Sequence, residues 1–324
     1  MRKRPTSRLS LKLSALVTCG MFGLIGGGAL ASPLPPAPAA AAGYRLETFA
    51  TNGSFSPRTV DTRLTFASGY QWYLFNFYGT KPEPALVSLN ADGSATVSSF
   101  GNEEATMASA AQISAAPYFR GTAFGGGAYF EATLAFDAKA VNLRNGWPAW
   151  WTVAVEDIDG GHGDQWPGQP AGYDNFAEPD IFEYDQGPNY PNAYFGSMHE
   201  WYGLWAHTCA AYCEVSSAYA AGVRMVPAGT NFAAYHRYGM LWIPATATKK
   251  GSLTYYFDGV QTGQPFTYSQ FNHQPPPPTA NTPWAFGVLD NQHLVLILGS
   301  GASTPLQVRS VSVWQASAAK NVHN

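Results

Sequence analysis

Apolar residues in this chain arrive in short runs, and none of the runs keeps a helical period. QWYLFNFYG (71–79), SATVSSFG (94–101), GAYFEATLAFD (127–137) and AWWTVAVED (149–157) are bounded by Gly, Pro, Asn or Asp. SLTYYFDG (252–259), HLVLILGSG (293–301) and QVRSVSVWQ (307–315) follow the same pattern. Many short strands separated by turn signals build sandwiches or barrels, whereas parallel βαβ units need helical patterns of roughly 10–15 residues between strands. The only stretch read as a helical turn is SAYAAGVRM at 217–225. The expected fold is therefore all-β.

Alternation within the runs refines this expectation. In GAYFEATLAFD, Tyr129, Glu131 and Thr133 share a face polar enough to line a cleft, and Phe130, Ala132 and Leu134 share an apolar one. HLVLILGSG is apolar on both faces, as an interior strand requires. The run QPPPP at 274–278 must leave the sheet, because proline cannot donate to a ladder. Aromatic residues make up 15% of the chain, with 10 Trp and 18 Tyr, a share that favours strands and supplies flat faces for sugar rings. A net charge of −3 offers no electrostatic footprint for nucleic acid.

The N-terminus carries Arg2, Lys3, Arg4, Arg8 and Lys12, then an apolar run from Leu13 to Leu30 that ends in Ala29-Leu30-Ala31. This is the pattern of a cleaved signal peptide over 1–31, which makes the mature protein secreted or periplasmic and free of the membrane. A Pro/Ala-rich linker (32–43) with nothing to bury, a single domain (44–319) and a short tail (320–324) complete the expected organisation. In an oxidising compartment Cys209 and Cys213 make a small disulfide loop. His199, Glu200 and His207 lie near them, but neither a C-x-x-C pair nor an H-E-x-x-H helix is present, so no metal site is expected. Phosphate-cradling loops, dinucleotide fingerprints and G-x-S-x-G elbows are also absent from the sequence, and no cofactor is expected.

What remains for chemistry is EPDIFEYD (178–185). Glu178 and Asp180 fall on one side of a regular strand, and Glu183 falls on the other. One residue inserted as a β-bulge returns Glu183 to the side of the other two and turns Pro179, with one or both of Ile181 and Phe182, toward the core. Retaining glycosidases place two carboxyls about 5–5.5 Å apart, one to attack the anomeric carbon and one to protonate the leaving oxygen. An acid between them orients one neighbour and raises the pKa of the other.

E-x-D-x-x-E on a bulged strand resembles the signature of glycoside hydrolase family 16, the laminarinase, agarase and κ-carrageenase group. GGGAYFEATLAFD, GWPAWWTVAVED, YFGSMHEW, YHRYGMLWIPA with LTYYFDGV, and LVLILGSG with VRSVSVWQ resemble further strands of that family, in order, from about residue 64 to 316. The resemblance implies a concanavalin A-like β-jelly-roll of two curved antiparallel sheets. It implies Glu178 as nucleophile, Asp180 as assisting acid and Glu183 as acid/base. It also points to Trp147, Trp151, His199 and Trp201 as substrate-binding residues. The implied activity is endo-cleavage of a polysaccharide with retention, β-1,3-glucan first, by a monomer. The alternatives are an agar- or carrageenan-type hydrolase, a transglycosylase, or a sugar-binding protein of the same fold. Two departures stand out: Pro179 replaces the usual Ile or Leu between the first two acids, and Arg309 stands about where relatives carry a calcium-binding Asp, so no calcium is expected.

Overall fold

The computed structural model describes residues 34–75, 82–98, 105–142, 146–160, 173–185, 189–204, 216–269, 286–300, 304–316 and 320–324. The expected signal peptide, the Cys209–Cys213 disulfide and the proline run at 274–278 lie outside them. In chain order the strands begin with β1 (Leu46–Asn52), β2 (Val60–Asp61), β3 (Trp72–Leu74), β4 (Val87–Leu89) and β5 (Ala95–Val97). Next come β6 (Ala105–Ala108), β7 (Ala110–Gln112), β8 (Phe119–Gly125), β9 (Ala128–Ala135) and β10 (Ala149–Ala154). They continue with β11 (Tyr173–Glu183), β12 (Ala193–Leu204), β13 (Ser216–Met225), β14 (His236–Ile243) and β15 (Gly251–Phe257). The last are β16 (Val260–Gln261), β17 (Phe266–Tyr268), β18 (His293–Ser300), β19 (Leu306–Gln315) and β20 (Val322–His323). Helices α1 (Ala37–Ala41) and α2 (Val155–Ile158) are short.

These strands form two large sheets, antiparallel except where β2 meets β3, in a jelly-roll sandwich. Sheet I has nine strands, ordered β16-β15-β14-β9-β19-β5-β4 with β1 and β17 attached. Sheet II has eleven, ordered β13-β12-β11-β10-β18-β6-β3-β2, with β8 branching from β18 and pairing in turn with β7 and β20. The main core lies between the sheets. Sheet I contributes Phe130, Ala132 and Leu134 of β9 and Met240 and Trp242 of β14; sheet II contributes Trp150, Ile181, Phe182 and Leu296. Each of the Phe, Leu, Ile and Met side chains among them, fully withdrawn from water, is worth about 1.5–3 kcal/mol.

Alternation places the other residues of the same strands on outer faces. A second apolar cluster covers part of the outer face of sheet II, where Trp151 and Val153 of β10 and Val295 and Ile297 of β18 meet Phe119 and Ala123 of β8 and Val155 and Ile158 of α2. The paired polar face of β9 lies on the outer side of sheet I. There the Tyr129 hydroxyl donates to Glu131 at 2.7 Å, and Tyr129 packs with Leu241 and Trp314 beneath α1. That face is not in the cleft, because a period of two says which residues share a side but not which sheet carries them.

Three further expectations are corrected. SAYAAGVRM is strand β13, paired with β12 along its length, because small residues at an edge fit a ladder as readily as a helix. The segment read as a linker holds α1, opened by proline, with Ala39 fully buried, and the Tyr44 hydroxyl donates to the Trp242 carbonyl at 2.9 Å. The segment read as a tail contains β20, which pairs with β8, and Asn324 exchanges backbone hydrogen bonds with Gly121. Among the described residues no helix is long and apolar enough to cross a membrane.

Candidate active site

Strand β11 carries the three acids and lies between β10 and β12. On the β12 side, Glu178 faces His199, Asp180 faces Ser197 and Glu183 faces Phe195, so three steps on β11 match two on β12. On the β10 side, Asp180 faces Trp151 and Phe182 faces Trp150, again with one residue too many on β11. The β12 register leaves Ile181 or Phe182 as the extra residue, and the β10 register, which pairs Phe182 with Trp150, makes it Ile181. Ile181 and Phe182 are both fully buried in the core between the sheets, while Glu178 and Glu183 keep partial access to solvent. A bulge of this kind lets consecutive apolar residues point inward and returns the next side chain to the outer face.

Pro179 sits where the ladder permits it. The recorded pairing with β10 stops at Trp151 opposite Asp180, while pairing with β12 continues through Pro179 opposite Met198. The Thr152 hydroxyl donates to the Pro179 carbonyl at 2.7 Å and ties the two strands together where their ladder ends. Beyond that point the edge of β11 is completed by a side chain. The buried Gln292 amide accepts from the Ala177 N–H at 3.0 Å and donates to the Asn175 carbonyl at 2.9 Å. Buried backbone groups need such partners, and Gln292 supplies both immediately before Glu178. No sequence pattern singled this residue out.

Each acid has its own partner. The Trp201 indole donates to Glu178 Oε2 at 2.6 Å, and the Trp147 indole donates to Glu183 Oε1 at 2.9 Å. His199 Nε2 lies 3.3 Å from Asp180 Oδ2. The His199 and Trp201 rings stack with centroids 5.2 Å apart and planes 4° from parallel. Trp147 is 37% exposed and sits just before β10, held there by the Tyr184 N–H donating to the Pro148 carbonyl at 3.1 Å. Trp147, His199 and Trp201 are thus gathered on the acids. Trp151 is instead packed into the apolar cluster beneath β8 and α2 and is only 6% exposed, which leaves little of its ring for a ligand.

Electrostatics follow from this burial. Burial pushes Glu178 well above the usual carboxylate range and Asp180 adds to the rise, while His199 and the Trp201 hydrogen bond oppose it. Asp180 is also raised well above the usual range, by burial first and then by the charges of Glu183 and Asp185. Glu183 is raised by burial, against the hydrogen bond from Trp147. Like charges held this close favour keeping a proton within the trio, as a general acid requires. Among the described residues, no group of three or more His, Cys, Asp or Glu side chains is arranged to hold a metal ion.

No family model and no curated protein matches the chain. Among solved structures, the endo-1,3-β-glucanase from Streptomyces sioyaensis is 18% identical, with a TM-score of 0.48 over 90% of this chain and 100% of that one. LamAcat from Zobellia galactanivorans is 13% identical, with a TM-score of 0.47 over 85% of this chain and 99% of that one. The winged bean acidic lectin, complexed with methyl-α-D-galactose, is 8% identical, with a TM-score of 0.33 over 71% and 89%. At these identities and scores the functional argument rests on the site's own residues.

Proposed function

We propose that the chain is an exported endo-acting glycoside hydrolase that cleaves internal β-linkages of a polysaccharide with retention of configuration. The observation that carries the reading is the bulge at Ile181, which brings Glu178, Asp180 and Glu183 to one face of a rigid interior strand. Surface acids need no bulge, no burial and no dedicated indole donors. A double-displacement site needs a fixed pair of carboxyls with opposite protonation.

In this mechanism Glu178 attacks the anomeric carbon. The bond to the leaving oxygen breaks, its electron pair stays on that oxygen, and the proton of Glu183 caps it. Glu183, now ionised, then takes a proton from water as the water oxygen attacks the anomeric carbon and Glu178 departs. Asp180 raises Glu178, and His199, 3.3 Å from Asp180, opposes that rise and so favours the ionised nucleophile. A sugar hydroxyl in place of that water would give transglycosylation from the same intermediate.

The polymer we propose is a neutral one, β-1,3-glucan first. Among the described residues, His199 is the basic side chain that acts on Glu178 and Glu183 and pairs with Asp180. A sulfated chain would bring further negative charge against three acids at close range, where such repulsion is costly. The test is reducing-end release from laminarin, mixed-linkage glucan, agarose, carrageenan and xyloglucan by wild type, Glu178→Gln and Glu183→Gln. Activity on one polymer, lost in both variants, supports the reading and identifies the substrate. A wild type that binds a polymer and releases no ends from any of them replaces it with a sugar-binding role.

A further inference from the structure

The two indoles at the site meet specific oxygens: Trp201 donates to Oε2 of Glu178, and Trp147 donates to Oε1 of Glu183. An indole N–H donates and cannot accept. The oxygen it meets is therefore held as an acceptor, and a proton on the same carboxyl favours the other oxygen. Resting on the hydrolase reading above, we infer that Trp201 and Trp147 are positioning residues that assign the roles of the four carboxyl oxygens. Trp201 holds Glu178 Oε2 and leaves Oε1 to attack the anomeric carbon. Trp147 holds Glu183 Oε1 and leaves Oε2 to carry the proton that passes to the leaving oxygen.

The two anchors are built differently. Trp201 is part of β12, opposite Phe176, and its ring is stacked on His199. Its hydrogen bond at 2.6 Å reaches diagonally across the ladder to Glu178. Trp147 stands at the rim, 37% exposed, beside the mouth of the site. A sugar can therefore lie against the Trp147 ring while its N–H keeps Glu183 in place. Stacking and hydrogen bonding are separable there, because phenylalanine keeps an aromatic face and loses the donor.

The experiment compares two leaving groups on the oligosaccharide series that wild type cleaves: a natural sugar, which needs a proton to depart, and 2,4-dinitrophenolate, which does not. Removing one well-placed donor costs about 10²–10³-fold in turnover where the donor acts on the reacting charge. In kcat/KM, which reports the first step alone, Trp147→Phe is expected to lose of that order with the sugar leaving group and far less with dinitrophenolate, because Glu183 serves as base in the second step whichever group has left. Trp201→Phe is expected to lose kcat with both, because attack by Glu178 is common to the two reactions. Equal losses of kcat/KM for Trp147→Phe on both substrates would overturn the assignment in favour of a simple sugar platform. Each variant's melting curve is compared with wild type; if Trp201→Phe does not fold, the leaving-group comparison for Trp147→Phe decides alone. A wild type inert toward both substrates overturns the hydrolase reading and this inference with it. An active wild type with indifferent variants overturns the inference only.

Discussion

Gln292 is the residue whose replacement most directly tests how the acid-bearing strand is held. Its amide is 1% exposed and satisfies two backbone groups of β11, the Ala177 N–H and the Asn175 carbonyl, where no neighbouring strand does. Gln292→Met keeps length and volume and removes both partners. A buried donor or acceptor left without a partner costs about 1–3 kcal/mol, so the pair puts the expected loss at about 2–6 kcal/mol. In a domain of this size that corresponds to a drop in melting temperature of roughly 4–24 °C. Activity should fall more steeply than stability alone explains, because Ala177 precedes Glu178 directly and small displacements at a reacting group cost about 10²-fold. Gln292→Glu separates the two bonds. It retains the acceptor for Ala177, but while ionised it buries an unpaired charge against the Asn175 carbonyl, so its loss should be at least that of Gln292→Met at neutral pH and should shrink as the solution is acidified and the carboxyl becomes a donor. Chemical denaturation and kcat/KM on the same preparations measure both effects. A Gln292→Met protein within about 1 kcal/mol of wild type would refute the reasoning, since an unpaired group at these positions cannot cost so little unless water or another side chain reaches it.

Two further outcomes are expected. A Cβ at Gly196 would come within 2.6 Å of the Tyr255 ring and 3.1 Å of Arg224 Nε, so Gly196→Ala should cost about 1–3 kcal/mol by overpacking; an unchanged melting temperature would show that the ring yields freely. The pH dependence of stability has a defined sign: all three acids are raised in the folded state, chiefly by burial, so the folded protein holds protons that the unfolded chain has released. The stability they permit is full below the ordinary carboxylate range and is lost as pH rises through the raised folded values. Glu178→Gln should therefore raise the melting temperature increasingly as pH rises above the ordinary carboxylate range, and parallel curves for the two proteins would count against the assignment.

The architecture was legible where local pattern and burial agree. Short alternating runs announced the sheets, and HLVLILGSG, apolar on both sides, became β18, an interior strand between β10 and β6. The spacing of Glu178, Asp180 and Glu183 announced the bulge, because no regular strand puts those three together. Other features were not legible, for identifiable reasons. The centre of β13, Ala218 to Gly222, carries Tyr219 as its one large side chain, too little to set a period. The face of Tyr129 and Glu131 was readable as a face, but its sheet is decided by long-range pairing with β14 and β19. Trp151 looked equivalent to Trp147, yet it is buried in the apolar cluster that also holds Val155 and Ile158 of α2. The indole donors and Gln292 depend on where a single N–H points, which no composition or spacing records.

The inserted Ile181 also bears on how such a site arises and disappears. Because side chains alternate with a period of two, loss of Ile181 would put the second Glu four positions from Glu178 on a regular strand, again on the side of Glu178 and Asp180. One residue can therefore be gained or lost between the acids as long as the bulge comes and goes with it. What splits the trio is a flattening of the bulge at constant chain length, which sends Glu183 to the core side. Inventories of acidic residues would then report an intact site in a descendant that has none.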